Sequence, residues 1–254
     1  MESDAAFQYL RPTPLLDYKS PVVQALIHER GWDSISSKSA QIDTVYSFVR
    51  DEILFGYSEN FAISGSQVLA LGYGNCLTKT TLLMTLLRAI GIPCRMKASM
   101  VDKVLHRGLV RSLAYRLSPD ALYHGWVSML YNGKWIEIGG HIVDRPYLQK
   151  LQAKYPDYMG SFYGYGIAVL NFRNPPIRWE EGDTFIQSKA RAGTLGTYDD
   201  PDSFFKAYPE AKERTQALRY QKILRPAEQV HSKTEGKLNI RASNRNNITP
   251  APRI

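Results

Sequence analysis

The sequence predicts an α+β fold in which a central helix packs on an antiparallel β-sheet. Three observations lead to this prediction. The run from Cys76 to Ile90 is largely apolar with one narrow polar stripe, which is typical of a buried helix. A strand-like run follows at residues 92–101. Further on, Asn132-Gly133 separates two alternating segments, as in a two-residue β-hairpin.

Shorter helices are predicted before the central one. Ser20 is an N-cap and Pro21 the first helical residue of a helix that stops at Gly31. Apolar residues recur at steps of three and four over about 39–54, which predicts an amphipathic helix. Ser66 is expected to cap one further short helix, QVLAL.

The central helix and the strand after it have clear end signals. Gly91 supplies a C-cap, and Pro93 opens the strand-like run. We therefore expect Cys94 to be a core residue in a strand that packs on the helix.

The Asn132-Gly133 turn fixes the register of the hairpin, because a two-residue turn makes the numbers of opposed residues sum to a constant. The expected pairs are Leu130 with Trp135, Ser128 with Glu137, and Trp126 with Gly139. His124 lies at the start of the first strand.

Residues 147–165 hold six tyrosines and phenylalanines together with glycines. Irregular structure wrapped on the core and the wall of a pocket are both compatible with that density, and we favour the first. IAVLNF at 167–172, RWEEGDTFIQ at 178–187 and a helix after Asp202 are the last predicted elements. The acidic run YDDPD at 198–202 is expected to be a turn and helix cap.

The charge is concentrated at the end of the chain. The net charge is +8, and residues 211–254 hold ten basic and three acidic residues, which leaves 22 basic and 21 acidic residues before them. Residues 226–254 are also poor in apolar side chains, so they are expected to form a basic tail without a core. We predict one domain over 1–225 and this tail.

Two signals bear on location. Residues 1–17 lack the basic and apolar regions of a signal peptide, and no stretch approaches about 18 consecutive apolar residues. We expect a cytoplasmic protein that does not enter membranes. The basic tail makes nucleic acid a possible partner, although a solvated tail is the expectation.

Two cysteines in 254 residues favour free thiols over a disulfide framework. Cys76 stands at the first turn of the central helix, where unsatisfied backbone N–H groups and the helix dipole favour a thiolate. We expect the pKa of its thiol to fall from about 8.5 into the range of about 3.5–7.5. Gly72 and Gly74 would let a substrate approach the backbone before the thiol.

A nucleophilic thiol needs an acid/base partner, which is usually histidine. Of the five histidines, His28 lies on an N-terminal helix, His106 in a basic loop and His231 in the tail. His124 and His141 lie at the open end of the hairpin, and the core residues after His124 would hold its ring rigidly. No Cys/His spacing fits zinc, and the glycine-rich turn lacks the Gly-Lys-Ser/Thr ending of a phosphate loop. We expect no metal and no cofactor.

Four separated pieces of the sequence resemble the transglutaminase-like superfamily, which has a papain-like fold. They are GYGNC before the helix, LLRAIGIPCR at its end, the HGW that opens the first hairpin strand, and KWIEI in the second. They agree with the family pattern in order and spacing over about residues 40–145. The resemblance implies a papain-like fold, Cys76 as the nucleophile and His124 as its acid/base partner.

The third member of the expected triad departs from the family pattern. The family usually has an aspartate four residues after the tryptophan of the second strand, and this chain has Gly139 there. Asp144 is the first candidate, because a bulge at Gly139-Gly140 would bring it to the correct face. Glu137 is the second, and a dyad with a backbone or amide acceptor remains open.

The expected function is thiol-dependent acyl transfer or hydrolysis through a thioester on Cys76. The expected substrate is a peptide or a small amide or ester. Two alternatives stay open: a catalytically inactive binding module with the same fold, and a nucleic-acid-associated protein that binds through the tail.

Overall fold

The computed structural model describes residues 7–106, 116 and 119–213. The predicted tail at 226–254 and the last residues of the predicted domain, 214–225, lie outside the described residues. The domain boundary at 225 and a role of the tail in binding nucleic acid therefore stay predictions.

Helices and strands both contribute to the described structure. The helices are α1 (Pro21–Glu29), α2 (Lys38–Asp51), α3 (Gly65–Leu71), α4 (Cys76–Ala89), α5 (Arg145–Lys154) and α6 (Pro201–Ala207). The strands are β1 (Leu54–Phe55), β2 (Tyr73–Gly74), β3 (Cys94–Asp102), β4 (Ala121–Tyr131), β5 (Lys134–Ile138), β6 (Phe162–Gly164), β7 (Ile167–Val169) and β8 (Arg191–Tyr198).

The main sheet has the order β5-β4-β3-β8, and each neighbouring pair is antiparallel. Helix α4 packs on β4 and β3, with α2 and α3 beside it. The α+β class is confirmed, and a helix that begins at Cys76 lies against the antiparallel sheet as expected. Two short pairs complete the sheet structure, β1 with β2 in parallel and β6 with β7 in antiparallel orientation.

Helix α4 is surrounded by protein on all sides. Every residue from Leu77 to Arg88 is buried, including Lys79 and Arg88. Arg88 donates hydrogen bonds to backbone carbonyls, among them that of Cys94 at 2.8 Å. A buried charged group needs such partners, because an unpaired one is expensive to remove from water.

The two faces of the main sheet have different neighbours. Cys94 and Met96 point toward α4, as shown by the hydrogen bond from Cys94 Sγ to the Met84 carbonyl at 3.7 Å. A Cβ placed on Gly125 would meet Met96 and Leu77, so position 125 faces α4 as well. Because side chains alternate along a strand, His124 and Trp126 project from the opposite face. We call the face toward α4 the helix face and the opposite face, which bears His124 and Trp126, the outer face.

The hairpin has the predicted register. Leu130 pairs with Trp135 and Ser128 with Glu137. Asn132 and Gly133 have φ of 48° and 73°, as a turn with positive φ at both positions requires. The ladder ends at Val127 and Ile138, one pair short of the expected Trp126–Gly139 pair, because Gly139 N–H donates to the Thr184 carbonyl at 2.7 Å instead.

Several local predictions were wrong. Helix α2 ends at Asp51 rather than near 54, because residues 54–55 form strand β1. Ser64, not Ser66, caps α3, since its hydroxyl accepts from Gln67 N–H while the Gln67 side chain accepts from Ser64 N–H. Ser66 lies inside the helix and donates to Asp17.

The aromatic segment is more regular than expected. Helix α5 covers its first residues, and Phe162 and Tyr163 lie in strand β6. Tyr147, Phe162 and Tyr165 are buried in the main hydrophobic core, which favours packing over a pocket wall. In the acidic run, Asp200 caps α6 and accepts from Ser203 N–H at 2.7 Å, as expected for a helix cap.

Strand β8 was missed altogether. It pairs with β3 along the edge of the main sheet, from Arg191 to Tyr198. No helix among the described residues has the length and apolar character needed to cross a bilayer.

Candidate active site

Cys76 is the first residue of α4, and Asn75 is its N-cap. The Asn75 side chain accepts hydrogen bonds from Leu77 N–H and Thr78 N–H at 2.9 and 3.1 Å. In return, Thr78 Oγ1 accepts from Asn75 N–H at 2.9 Å. This reciprocal capping box fixes the helix start, but it also uses two of the first-turn donors that were expected to face the thiol.

The sulfur of Cys76 lies against strand β4. Sγ is 3.7 Å from the carbonyl oxygen of Tyr123, which accepts from the thiol. The backbone N–H of Gly125 also faces the sulfur. The thiol therefore contacts the strand on both sides of His124 in the sequence, and the Tyr123 carbonyl carbon is bonded directly to the nitrogen of His124.

Burial raises the pKa of the Cys76 thiol to about 11, although the backbone N–H groups of Gly125, Leu77 and Cys76 itself oppose the rise. The expected drop in pKa was therefore wrong. Of the local N–H donors at the helix start, two are occupied by Asn75. Packing around the sulfur removes the water that would solvate a thiolate, and this effect is larger.

His124 is buried on β4, with 4% of its surface exposed. Its ring stacks on Trp126, with centroids 5.5 Å apart and planes at 28°. Nδ1 has no hydrogen-bond partner among the described residues. Burial and, to a smaller extent, the positive charge of Arg191 lower the pKa of His124 to about 3, so the ring is neutral at pH 7.

Asp144 is not on a strand. Strand β5 stops at Ile138, and a short 3₁₀ helix, Gly140–Ile142, leads into α5. Asp144 is the N-cap of α5 and accepts from Tyr147 N–H at 3.1 Å. Tyr165 OH lies 3.5 Å from its other oxygen. The structure therefore gives Asp144 a helix-capping role, and no bulge carries it back into the sheet.

Glu137 lies on the outer face, as does His124, but it bonds to another residue. Its Oε2 accepts from the indole N–H of Trp126 at 3.0 Å. Lys97 and Arg191 also lie beside this carboxylate, at 3.8 and 3.7 Å.

His141, the other histidine at the open end of the hairpin, lies on the helix side. Its Nε2 is 3.3 Å from Thr80 Oγ1, one turn after Cys76 on α4. Thr80 Oγ1 also donates to the Gly125 carbonyl at 3.1 Å. The His141 ring is fully buried, which lowers its pKa well below the usual value, with further lowering by the charges of Lys79 and His124.

Sequence reasoning missed two buried polar groups near the thiol. Tyr57 OH is 2.9 Å from His106 Nε2. Burial raises the pKa of Tyr57 well above its usual value, and the nearby charges of Cys76 and Asp144 raise it further. Lys79 is fully buried and donates to the Ile53 carbonyl at 2.7 Å. Burial lowers the pKa of Lys79 to about 7, while the nearby Asp144 opposes the drop.

A signal for Lys79 was present in the sequence. The polar run TKTT at 78–81 is unusual inside an otherwise apolar helix. Tyr57 and His106 had no such signal, because they are far apart in sequence and meet only through the fold.

Comparison with known proteins relates part of the chain to a family. The family model described as "Transglutaminase-like superfamily" matches residues 28–139. This segment belongs to the transglutaminase-like superfamily. It contains Cys76, His124 and Glu137, whereas Asp144 lies five residues past its end.

Two solved structures show weaker similarity to the chain. One is a candidate cysteine protease from Cytophaga hutchinsonii, with 13% identity and a TM-score of 0.47 over 78% of this chain and 48% of that one. The other is red sea bream transglutaminase, with 19% identity and a TM-score of 0.30 over 53% of this chain and 25% of that one. The chain thus spans less than half the length of either protein. No curated protein matches the chain.

Within the superfamily segment, the predicted pair of thiol and imidazole flanks one short stretch of β4. Gly139, the position where the resemblance led us to expect an aspartate, carries no side chain. A Cβ there would find only ordinary contacts, the nearest being the Thr184 carbonyl at 3.4 Å and Trp126 Cβ at 3.5 Å. Among residues 7–106, 116 and 119–213, no group of three His, Cys, Asp or Glu side chains is placed to hold a metal ion.

Proposed function

We propose that the protein is a thiol-dependent enzyme that hydrolyses or transfers the acyl group of an amide or ester, with Cys76 as nucleophile and His124 as acid/base. Superfamily membership of residues 28–139 supports this class of chemistry. The observation that carries the proposal is the contact between Cys76 Sγ and the Tyr123 carbonyl, because it brings the sulfur to the strand segment that bears His124.

In the first step the thiol attacks the substrate carbonyl. Since the thiol pKa is high and the imidazole pKa is low, the resting pair is neutral. The thiol proton therefore passes to His124 as the S–C bond forms, rather than before it. The carbonyl electrons move onto oxygen, and in the proposed mechanism the N–H groups of Cys76 and Gly125, which face the sulfur, donate to this oxyanion.

In the second step the tetrahedral intermediate collapses. The bond to the leaving amine or alcohol breaks, and His124 returns its proton to that group, which leaves a thioester on Cys76. A water molecule or an acceptor amine then gives a proton to His124 and attacks the thioester. The second tetrahedral intermediate then collapses, the S–C bond breaks, and His124 returns the proton to the departing sulfur, which regenerates the neutral pair.

The proposed substrate is a peptide or a small amide or ester. The steps use only side chains and backbone groups of the protein, so the proposal requires no metal or cofactor. We propose residues 1–225 as the catalytic domain and the cytoplasm as its location.

The decisive experiment is acylation by 4-nitrophenyl acetate, a small activated ester. Wild type should release a burst of 4-nitrophenol equal to the amount of protein, with the acetyl group on Cys76 by peptide mapping. His124→Ala should slow this burst about 10²- to 10⁴-fold, the usual contribution of a general acid/base. Cys76→Ser should abolish it.

Cys94→Ala is the matched control, because Cys94 is free like Cys76 but fully buried against α4. It should retain the burst. Equal burst rates for wild type and His124→Ala, or acetylation at Cys94 instead, would refute the proposed roles.

A catalytically inactive binding module is the second candidate. The raised thiol pKa favours it, as does the lack of a hydrogen-bond partner for His124 Nδ1 among the described residues. Under this alternative, 4-nitrophenyl acetate gives no burst, and iodoacetamide alkylates Cys76 no faster than free cysteine at neutral pH.

A further inference from the structure

The carboxylate of Glu137 contacts three side chains on the outer face of the sheet. It accepts the indole N–H of Trp126 at 3.0 Å. Lys97 Nζ lies 3.8 Å from one of its oxygens and Arg191 Nη2 3.7 Å from the other. A carboxylate bound to an N–H and flanked by two cations is held in place, so the indole that donates to it is held as well.

The indole of Trp126, held by Glu137, packs in turn against His124 and Arg191. Its ring stacks on the imidazole of His124, and Arg191 Cζ lies 4.1 Å from the indole centroid. Phe185 also packs against the guanidinium, at 5.2 Å. With only 3% of its surface exposed, Trp126 cannot reorient without disturbing all of these contacts.

His124 has no comparable hold of its own. Its Nδ1 bonds to none of the described residues, and Asp144 caps α5. An imidazole that transfers protons must keep one orientation, which enzymes usually secure with a hydrogen bond to the ring. Here the stacked indole is a contact that limits rotation of the ring.

Charge adds a second link between Glu137 and His124. The positive charge of Arg191 disfavours a protonated His124. The negative charges of Glu137 and Asp183 partly compensate the positive charge of Arg191. Lys97 places a second positive charge beside Glu137. His141, on the helix side, is close enough for its charge and that of His124 to disfavour each other. Removing the Glu137 charge leaves Arg191 less compensated and makes it harder for His124 to accept a proton.

We propose that Glu137 is a positioning residue for His124 and acts through the indole of Trp126. The inference rests on the proposed function, since it assigns Glu137 a role in the acid/base chemistry of His124. It replaces direct hydrogen bonding of Glu137 to the imidazole, one of the roles the sequence left open, by an indirect one.

A double-mutant cycle tests this route. Glu137→Ala removes the acceptor, and Trp126→Phe keeps an aromatic ring but removes the N–H. Each should lower the maximal rate of Cys76 acylation by 4-nitrophenyl acetate about tenfold, with the half-saturating ester concentration unchanged. The double variant should lose about as much as the more affected single variant, because both remove the same hydrogen bond. Losses that multiply overturn the inference.

Glu137→Gln separates the hydrogen bond from the charge. An amide oxygen can still accept from the indole, so this variant should recover most of the rate lost in Glu137→Ala. Glu52→Gln is the matched control, because Glu52 also pairs with an arginine, Arg30 at 2.6 Å, on an exposed surface. It should behave as wild type. Failure of Glu137→Gln to rescue the rate counts against the route through the indole.

A readout without substrate separates this inference from the proposed function. The ring current of Trp126 should shift the imidazole proton signals of His124 in the NMR spectrum, with the assignment made from their loss in His124→Ala. In Glu137→Ala these signals should move toward those of an unstacked histidine. If these signals move but 4-nitrophenyl acetate acylates Cys76 in neither wild type nor any variant, the positioning role holds and the enzyme proposal fails. If acylation is normal and the signals do not move, the positioning role is refuted.

Discussion

The two faces of the main sheet differ in what they contact. On the helix face, Cys94, Met96 and Met129 are fully buried against α4 and its surroundings. On the outer face, Lys97, Glu137 and Arg191 keep about a third of their side-chain surface exposed and form a charged cluster around one indole. Apolar packing on the helix face stabilises the fold, and the outer face can hold charges because water still reaches it. The candidate site lies at β4, where Cys76 contacts the strand backbone and His124 projects from the outer face.

The largest test of this difference is to remove a side chain from the helix face. Met129→Ala should lower the free energy of unfolding by about 2–5 kcal/mol, because it removes buried hydrocarbon and leaves a cavity. Urea titration measures the effect. A loss below about 1 kcal/mol would mean that the helix face is loosely packed.

Acid pH tests the buried histidines on both sides of the sheet. Burial keeps the pKa of His124 at about 3 and that of His141 well below its usual value, whereas an unfolded histidine titrates near 6.5. The unfolded chain therefore binds protons that the folded chain does not. The resulting stability is fully present above about pH 6.5 and is lost as the pH falls from there toward the folded pKa.

The expected slope is about 1.4 kcal/mol per pH unit for each histidine, well below pH 6.5. His124→Gln and His141→Gln should each reduce the slope by about this amount in urea titrations between about pH 6 and about pH 4.5. An unchanged slope for His141→Gln would show that the helix side admits a charged imidazole.

Two adjacent glycines sharpen the comparison further. A Cβ on Gly140 would lie 2.4 Å from Tyr46 OH and 2.9 Å from Ile177 Cα, whereas the nearest atom to a Cβ on Gly139 is 3.4 Å away. Gly140→Ala should therefore cost about 1–3 kcal/mol, and Gly139→Ala less than about 1 kcal/mol. Thermal unfolding of the two variants side by side gives the comparison. Equal costs would contradict the difference in packing.

Features with local causes could be predicted from the sequence. The hairpin register followed from Asn132-Gly133 alone, and the extent of α4 followed from its apolar period and from Gly91. Strand β8 could not be predicted in this way, because Gly193 and Gly196 weaken its β signal. Its pairing with β3 is decided by tertiary contacts.

The proximity of Cys76 to the strand of His124 could be predicted from the sequence, but the electrostatics of the thiol could not. Cys76 and the strand of His124 do lie together. The thiol pKa was wrong because burial is a property of the whole fold, while the helix-start argument used only the first turn. Asp144 was misplaced because a strand-parity argument fails once the strand ends, as β5 does at Ile138. Arg191, whose charge acts on His124, could not be foreseen because it lies on strand β8, which was not predicted.

The smallest effect is expected from the outer face itself. Lys97 pairs with Glu137 at 3.8 Å while both side chains remain over a quarter exposed. Lys97→Ala should therefore change the free energy of unfolding by only about 0–1 kcal/mol, and that change should shrink further at about 1 M salt as the charges are screened. Urea titrations at low and high salt measure both quantities, with Met129→Ala as the salt-insensitive reference. A loss above about 2 kcal/mol that salt does not reduce would mean that the aliphatic part of Lys97 packs on Trp126 as core residues do, and the two faces would then differ in charge but not in packing.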